Sequence, residues 1–233
     1  MTSVIRYMDF AKFLYLLETR SIYFCRADLL EDKNECLPHT KEDIVLTDKM
    51  ISTWHKLSEV KSMDGGASQM KLENELSSGD VMTKFVCSWS KGNLENYALW
   101  KIYCNSGIGV AIKSSVERVE KSLKIPDDFS SEFFHGEIHY GGPKEGCDYT
   151  MRKMHAFSFE SEYRFIFNFD YDDSEIAKIM PKKDGFSIPV ELEILIEEII
   201  ISPFNNILSE NLIKDFLKKY KLDAKVSKSY LGV

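Results

Sequence analysis

The longest apolar run in the sequence, Ile194–Ile201, is interrupted by Glu197 and Glu198. A membrane-spanning helix needs roughly 18 apolar residues in succession, so no span is expected and the run reads as a buried strand. Other apolar segments are as short and rich in aromatic or β-branched residues: Ile22-Tyr23-Phe24-Cys25, Lys84–Ser90 and Gly107–Ile112. Each suits a pleated, half-buried surface. With 44% hydrophobic and 12% aromatic residues, the chain is not intrinsically disordered. Its 233 residues are enough for a core without disulfide or metal staples.

Helical patterns lie between these strands. Phe10, Phe13, Leu14 and Leu17 recur at i, i+3, i+4 and i+7 behind Asp9, which is placed to cap them. Asn93 is predicted to cap a helix carrying Tyr97, Trp100, Lys101 and Cys104, and Ser114 with Glu117 forms a capping-box pattern for a helix to Leu123. Glu132 to Tyr140 reads as extended, and a short helix over Tyr149 to Ala156 precedes an alternating strand, Glu160–Phe167. The last third adds a strand over Glu198–Ser202, a helix over Ser209–Tyr220 and a strand over Ala224–Lys228. Ile44, Met50, Ile51, Trp54 and Leu57 recur near the helical period, so positions 40–80 are expected to form a helical insertion within one domain spanning 1–233. Strands and helices interleave, and several strands lack an intervening helix. The expected class is therefore α+β, a mixed and mostly antiparallel sheet with helices packed on it.

Thirty Lys and Arg against 37 Asp and Glu give a net charge of −7, which argues against a broad non-specific grip on nucleic acid. The basic residues near the end, Lys214, Lys218, Lys219, Lys221, Lys225 and Lys228, read as a solvated face; the sharper alternative is an acceptor surface for RNA or DNA. The opening Met1–Arg6 lacks an apolar signal region, so a cytoplasmic location is expected. Five Cys without a CxxC pair point to reduced thiols.

Three constellations could carry chemistry. Glu160 and Glu162, spaced i, i+2 at a strand start, would project to one face, repel each other, and raise the pKa of at least one. Such a pair suits general-base work or stabilisation of a positive sugar centre. Ser88 and Ser90 share one face of a strand and Trp89 the other, so their hydroxyls could meet a ligand or fix a carboxylate. Arg6, followed by Tyr7, offers planar bidentate recognition of phosphate or carboxylate. No metal site is expected. His135 and His139 would lie about 13 Å apart along a strand, and neither HExxH nor a close Cys/His cluster occurs. Gly107-Ile108-Gly109 lacks the third glycine of a phosphate loop.

Arg6-Tyr7-Met8, Ile22-Tyr23-Phe24, Arg26-Ala27-Asp28 and Leu30-Glu31-Asp32 resemble the opening of a widespread bacterial family, domain of unknown function 2971. So do three later blocks: Phe85–Ser90 with Ala98–Tyr103 and Gly109–Ile112; Ser158–Arg164; and Ile199–Pro203. The chain departs from the family at Asp32-Lys33, where a proline usually follows the aspartate. The order of Arg6, Ser88-Trp89-Ser90 and Glu160-Ser161-Glu162 is in turn similar to the arginine–serine–glutamate class of ADP-ribosyltransferases, although Trp89 stands where that motif usually has threonine. This second resemblance implies split sheets and NAD as substrate. It implies that Arg6 holds the dinucleotide, Ser88 meets the nicotinamide ribose, Glu162 is the essential carboxylate and Glu160 serves the acceptor side. Tyr23 would stack on nicotinamide, with Tyr7 and Ser90 beside the cofactor. The expected activity is ADP-ribosyl transfer or NAD glycohydrolysis, with the acceptor, protein or nucleic acid, and the oligomeric state left open. The alternatives are a non-catalytic nucleotide- or protein-binding module, in a bacterial defence or stress system, and a hydrolase of nucleic acid using Glu160 and Glu162 as ligands of a divalent metal.

Overall fold

Strand β1 (Ser3–Asp9) sends Val4 and Met8 to one face and Ile5 and Tyr7 to the other, and all four are buried. A strand with two buried faces must lie inside a sheet covered on both sides. The computed structural model describes residues 1–32, 35–36, 83–104, 108–126, 131–141, 148–169, 184–205 and 207–232. The helical insertion expected over 40–80 lies outside these residues.

β1 leads into α1 (Phe10–Thr19), capped as expected by Asp9, whose carboxylate accepts from the Lys12 backbone N–H at 2.8 Å. β2 (Ser21–Arg26) follows, then β3 (Lys84–Lys91), α2 (Tyr97–Tyr103), β4 (Gly109–Ser115), α3 (Val116–Ser122) and β5 (Ser131–Glu137). A two-stranded parallel ladder joins β6 (His139–Tyr140) to β7 (Arg152–Lys153). β8 (Glu162–Phe169), β9 (Gly185–Pro189), α4 (Leu192–Leu195), β10 (Glu198–Ile201), α5 (Glu210–Lys219) and β11 (Lys225–Lys228) complete the described elements. The fold is α+β. Its nine-stranded sheet is antiparallel except where β10 meets β11. No described helix is long and apolar enough to cross a membrane.

The sheet branches at β3. Along one edge β3 pairs with β8 over its length, from Lys84 opposite Asn168 to Ser90 opposite Glu162. On the other edge two strands share it. β2 takes only Phe85 and Val86, and β1 takes only Ser90 and Lys91. From there β1 continues into a wing with β4, β10 and β11, whereas β2 continues into a wing with β9. Cys87, Ser88 and Trp89 thus face a gap between two diverging strands.

One face of the sheet buries Phe13, Leu16 and Leu17 of α1 against Phe24, Phe85, Phe165, Phe167 and Ile112. Each such side chain stabilises the fold by about 1.5–3 kcal/mol. The opposite face carries Ile5, Tyr7 and Ala111 under Leu99 and Trp100 of α2, and Val86 and Ile166 under Tyr149 and Met151.

Four local expectations are corrected. The cap of α2 is Asn96, whose side chain accepts from the Ala98 and Leu99 N–H groups, not Asn93. The cap of α3 is Ser115, one residue beyond Ser114. Tyr149–Ala156 is not one helix but a 3-10 turn (Tyr149–Met151), β7, and the start of a second 3-10 segment (His155–Glu160). Strand β8 begins at Glu162, so Glu160 is not on it.

Candidate functional site

The gap between β1 and β2 opens into a cavity of about 830 Å³. Its wall includes Arg6, Tyr7, Tyr23, Ser88, Ser90, Glu160 and Glu162, so residues spread over β1, β2, β3, β8 and the preceding turn meet at one place. The branching makes this possible, because pairing on one edge of β3 stops where Cys87–Trp89 begin.

Glu162 is the best-held of these side chains. Its Oε1 accepts from the Ser88 hydroxyl at 2.5 Å and from Arg164 Nε at 2.6 Å. Its Oε2 accepts from Arg164 NH2 at 3.1 Å and from Lys153 Nζ at 3.2 Å. Its backbone N–H donates to the Tyr140 hydroxyl at 2.6 Å. The register explains the first pair: Ser90 lies opposite Glu162 and Ser88 opposite Arg164, so all four point to one face.

Glu160 reaches the same place by another route. Ser161 adopts a left-handed conformation, φ 46°, which turns the chain between the 3-10 segment and β8. Glu160 Oε2 then meets Lys153 Nζ at 2.6 Å, and its carbonyl accepts from the Ser90 hydroxyl at 2.8 Å. The two glutamates are neighbours through a lysine, not through strand alternation. Glu160 still adds to the rise of the Glu162 pKa, as the sequence spacing suggests, with Lys153 lying between the two and opposing it.

Sequence reasoning missed Lys153, Arg164 and Glu35. Lys153 Nζ also lies 3.5 Å from Glu35 Oε2. Arg164 is 1% exposed and contacts Glu35, the Cys36 sulfur at 3.3 Å and the Thr150 carbonyl at 2.6 Å. Arg164 had a signal, since it stands two residues after Glu162 and shares its face. Glu35 had none, because it comes from a segment distant in the chain, and Lys153, seven residues before Glu160, is folded back onto it by a turn that no periodicity announces. Glu35, Glu160 and Glu162 together set three negative charges against the two positive charges of Lys153 and Arg164.

Burial raises the Glu162 pKa, although Lys153 and the Ser88 hydroxyl oppose it. Burial works against the Lys153 charge, yet Glu162 and Glu160 outweigh it and the ammonium titrates above its ordinary value. Burial brings Arg164 down to about 9, still cationic at neutral pH. It pushes the Tyr7 and Tyr140 phenols up to about 12.

Comparison with family models, curated proteins and solved structures finds no match to this chain.

Arg6 approaches from the other side of β3. Its NH1 lies 2.9 Å from the Cys87 sulfur, and its guanidinium sits 5.8 Å from the centre of the Trp89 ring. By alternation Cys87 and Trp89 face away from Ser88 and Glu162, so the cavity is lined from both faces at the split. Tyr103, at the end of α2, lies within electrostatic reach of Arg6, Lys153, Glu160 and Glu162 alike. Tyr7 lines the wall while its hydroxyl accepts from the Asn96 N–H at 2.7 Å. Tyr23 is half-exposed at the opening. Cys36, Cys87 and Cys104 are buried thiols outside any disulfide, and Cys147 lies outside the described residues. Among the described residues, no group of three or more His, Cys, Asp or Glu side chains is arranged to hold a metal ion. The site therefore offers an anchored carboxylate, hydroxyl donors, a guanidinium and flat aromatic walls. Such a set can bind a ring-bearing polar ligand and face a developing positive charge with a fixed negative one.

Proposed function

We propose that this cavity binds NAD and cleaves its nicotinamide–ribose bond, as an ADP-ribosyltransferase or an NAD glycohydrolase. The observation that carries the reading is the Ser88 hydroxyl donating to Glu162 at 2.5 Å inside a cavity that Arg6 also lines. As the bond breaks, the ribose becomes oxocarbenium-like and needs a carboxylate that does not have to reorganise. Ser88 and Arg164 hold Glu162 in place for that role. Arg6 supplies a guanidinium for the pyrophosphate, and Tyr23 a ring for the nicotinamide. Glu160 stands on the acceptor side. The resemblance to the arginine–serine–glutamate enzymes agrees with this assignment of residues.

Glu162→Gln keeps the shape and removes the charge. The expected result is a fall in NAD consumption of about 100-fold or more with NAD still bound in calorimetry; unchanged consumption would overturn the proposal. A second reading, a nucleotide-binding module without turnover, is favoured by the four donor contacts already made to Glu162. Binding of NAD with no nicotinamide released by the parent protein would select it.

A further inference from the structure

The Glu162 carboxylate is full. A carboxylate offers about four lone-pair positions, and Ser88 Oγ, Arg164 Nε, Arg164 NH2 and Lys153 Nζ occupy them. A ligand hydroxyl can reach this carboxylate only by replacing one donor. Arg164 is anchored from behind by Glu35 and the Thr150 carbonyl, and Ser88 makes the shortest of the four contacts. Lys153 differs from both. Its Nζ lies 2.6 Å from Glu160 Oε2, 3.2 Å from Glu162 Oε2 and 3.5 Å from Glu35 Oε2. A small shift toward Glu160 gives up the 3.2 Å contact to Glu162 and keeps the ammonium paired at its closest carboxylate.

We infer that Lys153 is a displaceable stopper on Glu162: in the free protein it fills the Oε2 position that a ribose hydroxyl takes in the complex, and Glu160 holds it when it yields. The inference rests on the proposed function for the identity of the incoming hydroxyl; the uneven sharing of the ammonium does not. Lys153 and Glu160 are positioning residues in this scheme. Among the described residues, taking the lysine away leaves Arg164 as the cation paired with Glu162, against Glu160 and Glu35. Among the described residues, the groups facing the ammonium include Glu35, Glu160, Glu162, the Phe157 ring at 5.1 Å, and Tyr140 of β6, Tyr103 of α2 and the Cys36 thiol within electrostatic reach.

The test combines carboxyl carbon NMR titration of ligand-free protein with calorimetry of ADP-ribose, on the parent, Lys153→Met, Glu160→Gln and the double variant. Lys153→Met is expected to raise the Glu162 midpoint by about one pH unit or more, a tenfold change in proton affinity. Above that midpoint it binds ADP-ribose about fivefold tighter. Glu160→Gln does the reverse: Lys153 settles on Glu162, the midpoint falls, and ADP-ribose binds about fivefold more weakly. That loss disappears when Lys153 is also Met. Glu160→Gln preserves size and polarity, so its sign alone decides if Lys153→Met fails to fold. Losses that simply add, or a weaker complex in Lys153→Met, overturn the inference. If the parent takes up neither NAD nor ADP-ribose, the NAD reading falls. The ligand-free titration then judges Lys153 alone: opposite shifts of the Glu162 midpoint uphold the inference, and an unmoved midpoint rejects it.

Discussion

Arg164 is enclosed by the Glu162 carboxylate, Glu35 and the Thr150 carbonyl, with 1% of its surface reaching solvent. Removing one partner of a buried ion pair leaves the other charge uncompensated, which costs about 3–5 kcal/mol. Arg164→Met is therefore expected to lower the stability by about 3–5 kcal/mol, read as an earlier midpoint in urea with an unchanged slope. Glu162 makes a prediction of its own. Burial holds its folded-state pKa above the ordinary carboxyl value. As pH rises through the ordinary value, the unfolded chain gives up its proton first, so stability drops between the ordinary pKa and the raised one. Urea unfolding followed from below pH 4 to neutral should show this decline in the parent, and Glu162→Gln should flatten it. Much of this site was legible from residues alone. Arg6, Ser88 and Glu162 could be picked out by type and order, and all three line the cavity. What stayed hidden was the cation between the glutamates, since Lys153 reaches them across a turn whose left-handed Ser161 no periodicity announces.

The elements that position the site differ in how they are secured. The cap on α2 does double duty, because Asn96 Oδ1 accepts from the helix while Nδ2 donates to the Phe159 carbonyl at 2.6 Å, beside Glu160. Asn96→Ala should cost about 1 kcal/mol from the cap and loosen the turn that carries Glu160. Faster amide exchange at Ala98 and Leu99, with weaker nucleotide binding, would show both. On β9, a Cβ at Gly185 would collide with the Phe24 carbonyl and the Tyr23 ring. The glycine thus lets the two strands approach and sets Tyr23 at the cavity opening. Strands with clear alternation or aromatic runs, such as β2, β3 and β8, could be read in advance, as could α1 with its Asp9 cap. Asn93 and Asn96 are equivalent as residue types, and only the side chain next to Tyr97 reaches the first free N–H groups. β9 and the branching at β3 escaped notice for one reason: pairing between distant segments decides both, and five residues of β9 carry little pattern.

Across the whole molecule, the two wings of the sheet are joined through short pairings with β3, through α1, which follows β1 and precedes β2, and through the bridge between Leu123 and Val190. A ligand in the split touches both wings and β3 at once, so its binding energy is added to the stability of the assembled sheet. Mass action gives that effect a size. A ligand at 100 times its dissociation constant stabilises the folded state by about 2.7 kcal/mol. For a chain of this length each kcal/mol moves the melting temperature by about 2–4 °C, so the shift should be about 5–10 °C. Scanning calorimetry with NAD and with ADP-ribose measures it directly. Ser88→Ala removes a donor from Glu162 without emptying the core, and it should reduce the shift to less than half at the same ligand concentration. An equal shift in parent and variant would mean that the ligand sits elsewhere, and no shift at millimolar NAD would mean that the cavity is built for another guest. The arms separate because Ser88 lines the cavity from β3, the strand that every wing shares.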